Sequence, residues 1–206
     1  MKFKSLYLVL VLALAACVLA QEKKKGIVAE GGEPDERASA RVLYWDQDAN
    51  AAAGQFAINY GRPVWKKDYE DPAKFDAMTR GKVWRMGSNF WTNLDSQLHL
   101  KISGKDVPPG YYYLGLQRSA DGTTWSLAFF DPARIRAAHV DAFDIAKAHW
   151  QFQVPMKLEE SSNTAEKLTI TLARSKINLY DVTLRVAWGK TVLTAPIKVV
   201  VGIVGG

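Results

Sequence analysis

The sequence predicts an all-β protein, specifically an antiparallel β-sandwich with one or two short helical insertions. Apolar and polar residues alternate with period two in many short segments, which is typical of strands with one buried and one wet face. Turns that contain glycine separate these segments. About ten such strands are characteristic of two packed antiparallel sheets.

The alternation places the strands along the chain. It is clearest where Leu98, Leu100 and Ile102 share one face of a predicted strand. The same pattern recurs in three later segments, at 151–158, 168–172 and 182–188. Composition and flanking turns indicate further strands at 41–45, 55–60, 111–117, 124–130 and 191–201.

Turn and capping residues define the connections. Glycines after Ser103 and Asp121 predict hairpin turns, because glycine tolerates positive φ. The segment 188–190 predicts another tight reversal. The pairs Asp71-Pro72 and Asp131-Pro132 each place an N-cap before proline, which predicts a short helix over 70–79 and a helical turn over 133–138.

Residues 1–20 are predicted to be a signal peptide rather than part of the fold. Their apolar run is shorter than the roughly 20 residues of a transmembrane helix, and it follows basic residues. Two processing sites remain open: cleavage after Ala20, or lipidation of Cys17 within a lipobox-like segment, which would leave an acyl membrane anchor. Either predicts export, to the periplasm or outside the cell, with no transmembrane span in the mature chain.

Residues 21–37 are predicted to be a flexible linker, and residues 38–206 a single β-sandwich domain. The whole chain has 27 Lys+Arg against 21 Asp+Glu, but several lysines lie in the leader and linker. The body is therefore close to neutral and carries no nucleic-acid reading motif, so no nucleic-acid partner is expected. One cysteine in the chain excludes an intrachain disulfide framework.

No metal or cofactor is predicted. The most metal-like cluster combines two histidines and two aspartates within eleven residues, but its spacing is not that of a zinc site, so these remain weak candidates: His139, Asp141, Asp144 and His149. The sequence also contains no G-x-S-x-G, Walker A, G-x-G-x-x-G or H-E-x-x-H motif.

Three motifs occur in a fixed order: Asn-Tyr-Gly-Arg-Pro at 59–63, a Gly-Lys-Val-Trp-Arg segment at 81–89, and Gly-Lys-Asp-Val-Pro-Pro-Gly-Tyr-Tyr at 104–112. With Trp-Gly-Lys at 188–190, they resemble the signatures of the bacterial "domain of unknown function 2911" family. The resemblance implies an exported, β-rich protein and carries over no activity. The segment 65–79 is longer than the usual link between the first two motifs.

The motif region supplies the candidate ligand-binding residues, which are Arg62, Trp84, Arg85, Asn89 and Trp91. Exposed rings beside arginine and asparagine are used to bind sugars, whereas buried rings only pack the core. Two interpretations remain open. Arg85 either clamps a loop through hydrogen bonds inside the domain, or helps to form a pocket for an anion or a sugar.

The sequence favours a non-catalytic binding or structural module of the cell envelope, with a glycan or an envelope protein as partner. The alternative is a secreted hydrolase whose carboxylates assemble only in the fold, because such carboxylates need not be close along the chain.

Overall fold

Antiparallel strands make up most of the chain that the structure describes. The computed structural model describes Gly32 and residues 36–201, and the residues from Glu36 onward form one unit. Its strands are β1 Arg37–Asp46, β2 Ala51–Gly61, β3 Val83–Trp84, β4 Thr92–Ser96, β5 His99–Ile102, β6 Lys105–Val107, β7 Gly110–Arg118, β8 Trp125–Phe130, β9 Phe152–Arg174 and β10 Asp181–Val200.

The helices are short and begin where the capping residues predict. The α-helices are α1 Pro72–Thr79 and α2 Pro132–Ala137, and the 3-10 helices are Lys67–Glu70 and Ala142–Lys147. Asp71 Oδ1 accepts a hydrogen bond from the backbone N–H of Ala73 at 2.9 Å, and Asp131 Oδ1 accepts one from Ala133 at 2.8 Å. Both predicted helical segments are therefore confirmed, with proline as the first helical residue in each.

The strands follow one hydrogen-bonded path, in the order β1-β2-β4-β7-β8-β9-β10-β5-β6, with β3 paired to β7. This confirms the all-β, antiparallel class. Strand β9 changes partner along its length, because residues 152–156 pair with β8 and the following residues pair with β10. The path is therefore continuous through β9, and the division into two packed sheets stays a prediction.

Strands from both ends of this path share the main core. Phe56 of β2, Leu94 of β4 and Leu184 of β10 are all buried in the same apolar cluster. The buried Tyr60 hydroxyl connects β2 to β9, since it accepts from the Ile170 N–H at 2.9 Å and lies 3.3 Å from the Ile170 carbonyl oxygen. A smaller cluster packs Trp91 and Phe130 against Ile145 of the second 3-10 helix.

A bulge replaces the tight reversal expected at 188–190. Strand β10 runs through this segment, and its register with β9 shifts on both sides of Gly189. Gly189 has φ +59°, in the left-handed region that favours glycine. The expected reversal is wrong because one left-handed residue here bends a strand that keeps its partner on both sides.

The predicted signal peptide, the Cys17 site and most of the linker lie outside the described residues. The linker's last residue, Arg37, begins β1. Within the described part of the chain, no helix has both the length and the apolar character needed to cross a bilayer.

Asp121 organises the β7–β8 hairpin turn. Its Oδ1 accepts hydrogen bonds from the Ser119 hydroxyl and, at 3.0 Å, from the Thr123 N–H. The Ser119 bond and then the Thr123 bonds lower the pKa of Asp121 from 3.8 to about 2. A carboxyl group with a depressed pKa stabilises the fold above its ordinary pKa. This contribution is lost as the pH falls from 3.8 towards about 2.

We expect the Asp121 carboxyl carbon to titrate by NMR with a midpoint near that depressed value. Ser119→Ala should raise the midpoint towards the ordinary aspartate pKa, because it removes the strongest donor to the carboxylate. Ser161→Ala serves as the control and should leave the midpoint unchanged, because the Ser161 hydroxyl on β9 donates to the Asn163 carbonyl and not to Asp121. An equal midpoint in wild type and Ser119→Ala would show that the Ser119 hydroxyl does not lower the pKa of Asp121.

Candidate aromatic binding cavity

An apolar cavity of about 110 Å³ lies between the helical segment 67–79 and the strands beneath it. The strands contribute three tryptophans, Trp84 of β3, Trp125 of β8 and Trp188 of β10. The helical segment contributes Tyr69 and Phe75. The cavity is therefore aromatic on both its strand side and its helical side.

Trp188 is the centre of the aromatic cluster. Its ring stacks on Trp84 with centroids 4.8 Å apart and planes 16° apart, and it meets Trp65 edge-on at 4.9 Å. Tyr69 lies 5.1 Å away at a tilt. Such aromatic pairs contribute roughly 0.5–1.5 kcal/mol beyond their area burial. Trp188 is 9% exposed, as expected from the alternation over 182–188, which places it on one strand face with Leu184 and Val186.

The Pro63 carbonyl joins the start of the helical segment to the cluster. It accepts hydrogen bonds from Trp188 Nε1 and from the Leu168 N–H, each at 3.0 Å. Two residues later, the Trp65 N–H donates to the Glu166 carbonyl at 2.6 Å. The chain that leaves β2 is thus held along β9 before it crosses the cavity.

Arg118 holds the other end of the helical segment to β7. Its Nη1 donates to the Thr79 hydroxyl at 2.9 Å and lies 3.0 Å from Asp76 Oδ1. The Arg118 side chain is mostly buried, so this ion pair is screened less than a fully exposed one. Asp76 also pairs with Arg80 at 2.7 Å.

The cavity offers few polar groups to a ligand. The lining residues with polar atoms are Tyr69, Thr79, Thr191 and the tryptophans. In the part of the chain that the structure describes, no carboxylate and no histidine lines this cavity. The Thr79 hydroxyl already donates to the Phe75 carbonyl at 2.8 Å. A wider neighbouring cavity of about 560 Å³ shares Tyr69, Phe75 and Thr191, and adds Glu70 and Lys190.

The structure does not bring the five predicted ligand-binding residues into one site. Trp84 lines the aromatic cavity. Arg62 donates to the Leu168 carbonyl at 3.2 Å and to the Thr169 hydroxyl at 3.4 Å, on β9. Trp91 is buried in the smaller cluster, where it stacks on Tyr113 at 4.9 Å.

Arg85 and Asn89 belong to a loop that Arg85 closes. Arg85 Nη1 donates to the Asn89 carbonyl at 3.2 Å, and the guanidinium lies 3.9 Å from the centroid of the Phe143 ring. Met86 and Asn89 both have positive φ in this loop. Burial lowers the pKa of Arg85, and the nearby Asp141 partly opposes that effect. The guanidinium is partnered within the domain, as in the loop-clamp interpretation, and the Phe143 ring covers it.

Replacing Arg85 with lysine should destabilise the domain by about 0.5–1 kcal/mol. An ammonium group cannot both stack as a plane on the Phe143 ring and keep the directed N–H donors of a guanidinium. The measurement is the midpoint of chemical unfolding. Arg134→Lys is the matched control, since that side chain is 81% exposed beside Asp131 and should tolerate the change. Equal midpoints for the two variants would remove the loop-closing role of Arg85.

The weak metal candidates have other structural roles. Asp141 Oδ1 accepts from the Phe143 N–H at 2.9 Å as a helix cap, and Asp144 pairs with Lys147 at 3.0 Å. His139 and His149 are exposed near the same helix. Over Gly32 and residues 36–201, no three histidine, cysteine or acidic side chains come close enough together to hold a metal ion. The absence of a specific metal site stays a prediction.

Some cavity residues were not identified as site residues from the sequence. Tyr69 and Trp125 line the cavity, and Trp65 packs on Trp188. None of the three carries a motif of its own, and long-range packing brings them together. The available signal was the density of aromatic residues around the predicted helix cap, where Trp65, Tyr69 and Phe75 lie within eleven residues.

Fold and cavity together define an all-β, antiparallel protein with an aromatic cavity covered by a short helical segment. The family model described as "Protein of unknown function (DUF2911)" matches residues 46–197, which is more than half of the chain. The chain therefore belongs to the DUF2911 family, as its motifs indicated. Comparison with the curated proteins and with the solved structures finds no match.

Three of the motif segments meet at this cavity. Pro63 ends the first motif, Trp84 lies in the second and Trp188 begins the last. Pro63 accepts the Trp188 indole N–H, and Trp84 stacks on the Trp188 ring. Residues from three segments that lie far apart along the chain therefore pack together around the Trp188 ring.

Proposed function

We propose that this protein is a non-catalytic binding module of the cell envelope that holds a compact apolar group in the aromatic cavity. The observation that carries the proposal is the tryptophan-lined cavity beneath the helical segment. Ligand sites are typically concave and mostly apolar, with few polar groups. The ligand is either a small apolar molecule or an apolar side chain of an envelope protein.

The small number of polar groups in the cavity favours an apolar ligand over a glycan. A sugar needs several hydrogen-bonding partners for its hydroxyls, because each one left unpaired on burial costs about 1–3 kcal/mol. The Thr79 hydroxyl is already engaged by Arg118 and by the Phe75 carbonyl. An apolar cavity of roughly 150 Å³ is known to take up benzene. The present cavity, about 110 Å³, is somewhat smaller but continues towards a wider one.

The geometry gives less support to the alternative, a secreted hydrolase. Such an enzyme needs two carboxylates, or a histidine with a carboxylate, in a concave site. Asp76 lies beside the cavity, but Arg80 and Arg118 already pair with it. His99 and Asp106 lie 3.2 Å apart, yet both side chains are exposed on the β5–β6 hairpin.

The envelope location rests on the sequence alone. The signal-like residues 1–20 support export, and the two processing alternatives at Ala20 and Cys17 stay open in this proposal. Mass spectrometry of the mature protein separates them, because lipidation adds acyl mass at Cys17 whereas cleavage after Ala20 removes that residue.

A titration with benzene tests the cavity. In wild type we expect saturable NMR shifts of the Trp84 and Trp188 indole N–H signals. Met78→Trp should abolish these shifts or weaken binding at least tenfold, because Met78 lines the cavity and a larger ring there fills it. Leu43→Trp is the matched control: Leu43 is 43% exposed against 40% for Met78, and it lies on β1 away from the lining.

Two outcomes would overturn the apolar-ligand proposal. One is the absence of saturable shifts in wild type. The other is equal benzene binding by Met78→Trp and wild type. A parallel titration with a chitin disaccharide addresses the glycan alternative: if the disaccharide shifts the same indole signals and benzene does not, the ligand is a sugar.

A further inference from the structure

The β9–β10 hairpin ends in an apolar tip, defined here as residues 175–180. Ile177 is 100% exposed and Leu179 is 58% exposed, and Tyr180 beside them is exposed as well. Most exposed apolar residues occur singly and need no explanation. Here three occur within four residues at the end of one hairpin, which is typical of an interaction site.

The tip is well ordered by its own hydrogen bonds. The Ser175 hydroxyl oxygen accepts from the Ile177 N–H at 3.1 Å and the Asn178 N–H at 3.2 Å. Asn178 Oδ1 accepts from the Tyr180 N–H, also at 3.1 Å. The Asp181 N–H donates to the Asn178 carbonyl at 3.1 Å. These backbone donors are thus satisfied inside the tip while its apolar side chains point outward.

Two carbonyls at the end of the tip, those of Leu179 and Tyr180, accept hydrogen bonds from neighbouring strands. The Tyr44 hydroxyl donates to the Leu179 carbonyl at 2.8 Å, and the Val199 N–H donates to the Tyr180 carbonyl at 2.8 Å. The Tyr44 and Tyr180 rings stack with centroids 6.1 Å apart. Each backbone group that is already paired lowers the cost of bringing this part of the tip to an apolar medium.

The charges around the tip are arranged for a negatively charged surface. Arg174 and Lys176 are both exposed and flank the start of the tip, while the acidic Asp181 at its other end is half-buried. Lysine and arginine next to apolar residues place their charged ends at lipid headgroups, and tyrosine is enriched at the membrane–water boundary.

We propose that this tip is a membrane-contacting loop. Ile177 and Leu179 enter the boundary between headgroups and acyl chains of an anionic bilayer, and Tyr180 lies at that boundary. Lys176 and Arg174 contact the lipid phosphates. The contact is independent of the aromatic cavity, so it holds whether or not the cavity binds an apolar ligand.

A fluorophore placed in the tip tests this contact. The full-length chain carries Cys17→Ser with Ile177→Cys, and the new thiol is labelled with the environment-sensitive dye NBD. Adding phosphatidylcholine–phosphatidylglycerol vesicles should shift the NBD emission to the blue and raise it at least twofold. Pure phosphatidylcholine vesicles should give a smaller response, and adding Lys176→Glu should reduce the response to anionic vesicles.

The matched control carries the dye at another exposed apolar position, through Val64→Cys in the same Cys17→Ser background. Its emission should not change with vesicles, even if the N-terminal residues bring the chain to the bilayer. Equal responses at positions 64 and 177 would overturn the proposal. So would the absence of a response at position 177 with both vesicle compositions, which would instead favour a groove on a protein partner as the occupant.

Discussion

Truncating Trp188 to alanine is expected to lower the free energy of unfolding by about 3–5 kcal/mol, the usual cost of removing a large buried ring. The ring contacts Trp65, Tyr69 and Trp84. Its removal would therefore take away the central member of the aromatic cluster and leave a void next to an existing cavity. The measurement is equilibrium unfolding in urea.

Two further variants show whether the loss comes from packing. Trp150→Ala, at an exposed position in the chain before β9, should change stability by less than about 0.5 kcal/mol. Trp188→Phe keeps a ring but loses the indole N–H, so it should cost less than the alanine variant. The Pro63 carbonyl still accepts from Leu168 in that variant. An unchanged unfolding midpoint in Trp188→Ala would remove Trp188 from the core.

Gly189→Ala should be nearly as damaging, for two separate reasons. Gly189 has φ +59°, and an L-residue in the left-handed region costs about 1–2 kcal/mol. A Cβ atom at this position would also lie 2.5 Å from the Trp65 ring. Relieving such a collision in a packed site typically costs a further 1–3 kcal/mol or so. Urea unfolding again provides the measurement.

Gly104→Ala separates the two contributions to the Gly189 effect. Gly104 also has positive φ, +85°, but no heavy atom lies within 4 Å of the Cβ that alanine would add. It should show only the backbone cost. If Gly189→Ala costs no more than Gly104→Ala, the close approach of Trp65 is not maintained in solution. In a Trp65→Ala background, the extra cost of Gly189→Ala should largely disappear.

Sequence patterns predicted the local features of this fold well. Aspartate before proline predicted both α-helices, and the structure shows Asp71 and Asp131 as their caps. Alternation predicted that Leu98, Leu100 and Ile102 share one face of a strand, and all three side chains are buried. These predictions succeeded because each depends on neighbouring residues, whose geometry follows from backbone periodicity and capping hydrogen bonds.

The candidate site was predicted less completely. Trp84 and Arg85 are adjacent along the chain, yet they belong to different surroundings: Trp84 lines the cavity, whereas Arg85 packs on Phe143. Period two requires neighbours on a strand to point to opposite faces, but it does not identify which element covers each face. The second 3-10 helix, which carries Phe143, could not be assigned to that role from its own residues.

The sequence by itself determined the strand-rich class, the helix starts, the burial of Trp188 and the motifs that place the chain in the DUF2911 family. Only the tertiary structure decided that β9 passes from β8 to β10, that Pro63, Trp84 and Trp188 meet, and that Ile177 stands fully exposed on an ordered tip. The physical reason is that alternation and capping act between near neighbours. Strand partners and ring contacts, in contrast, join residues far apart in the chain, and the packing of the whole core selects among them.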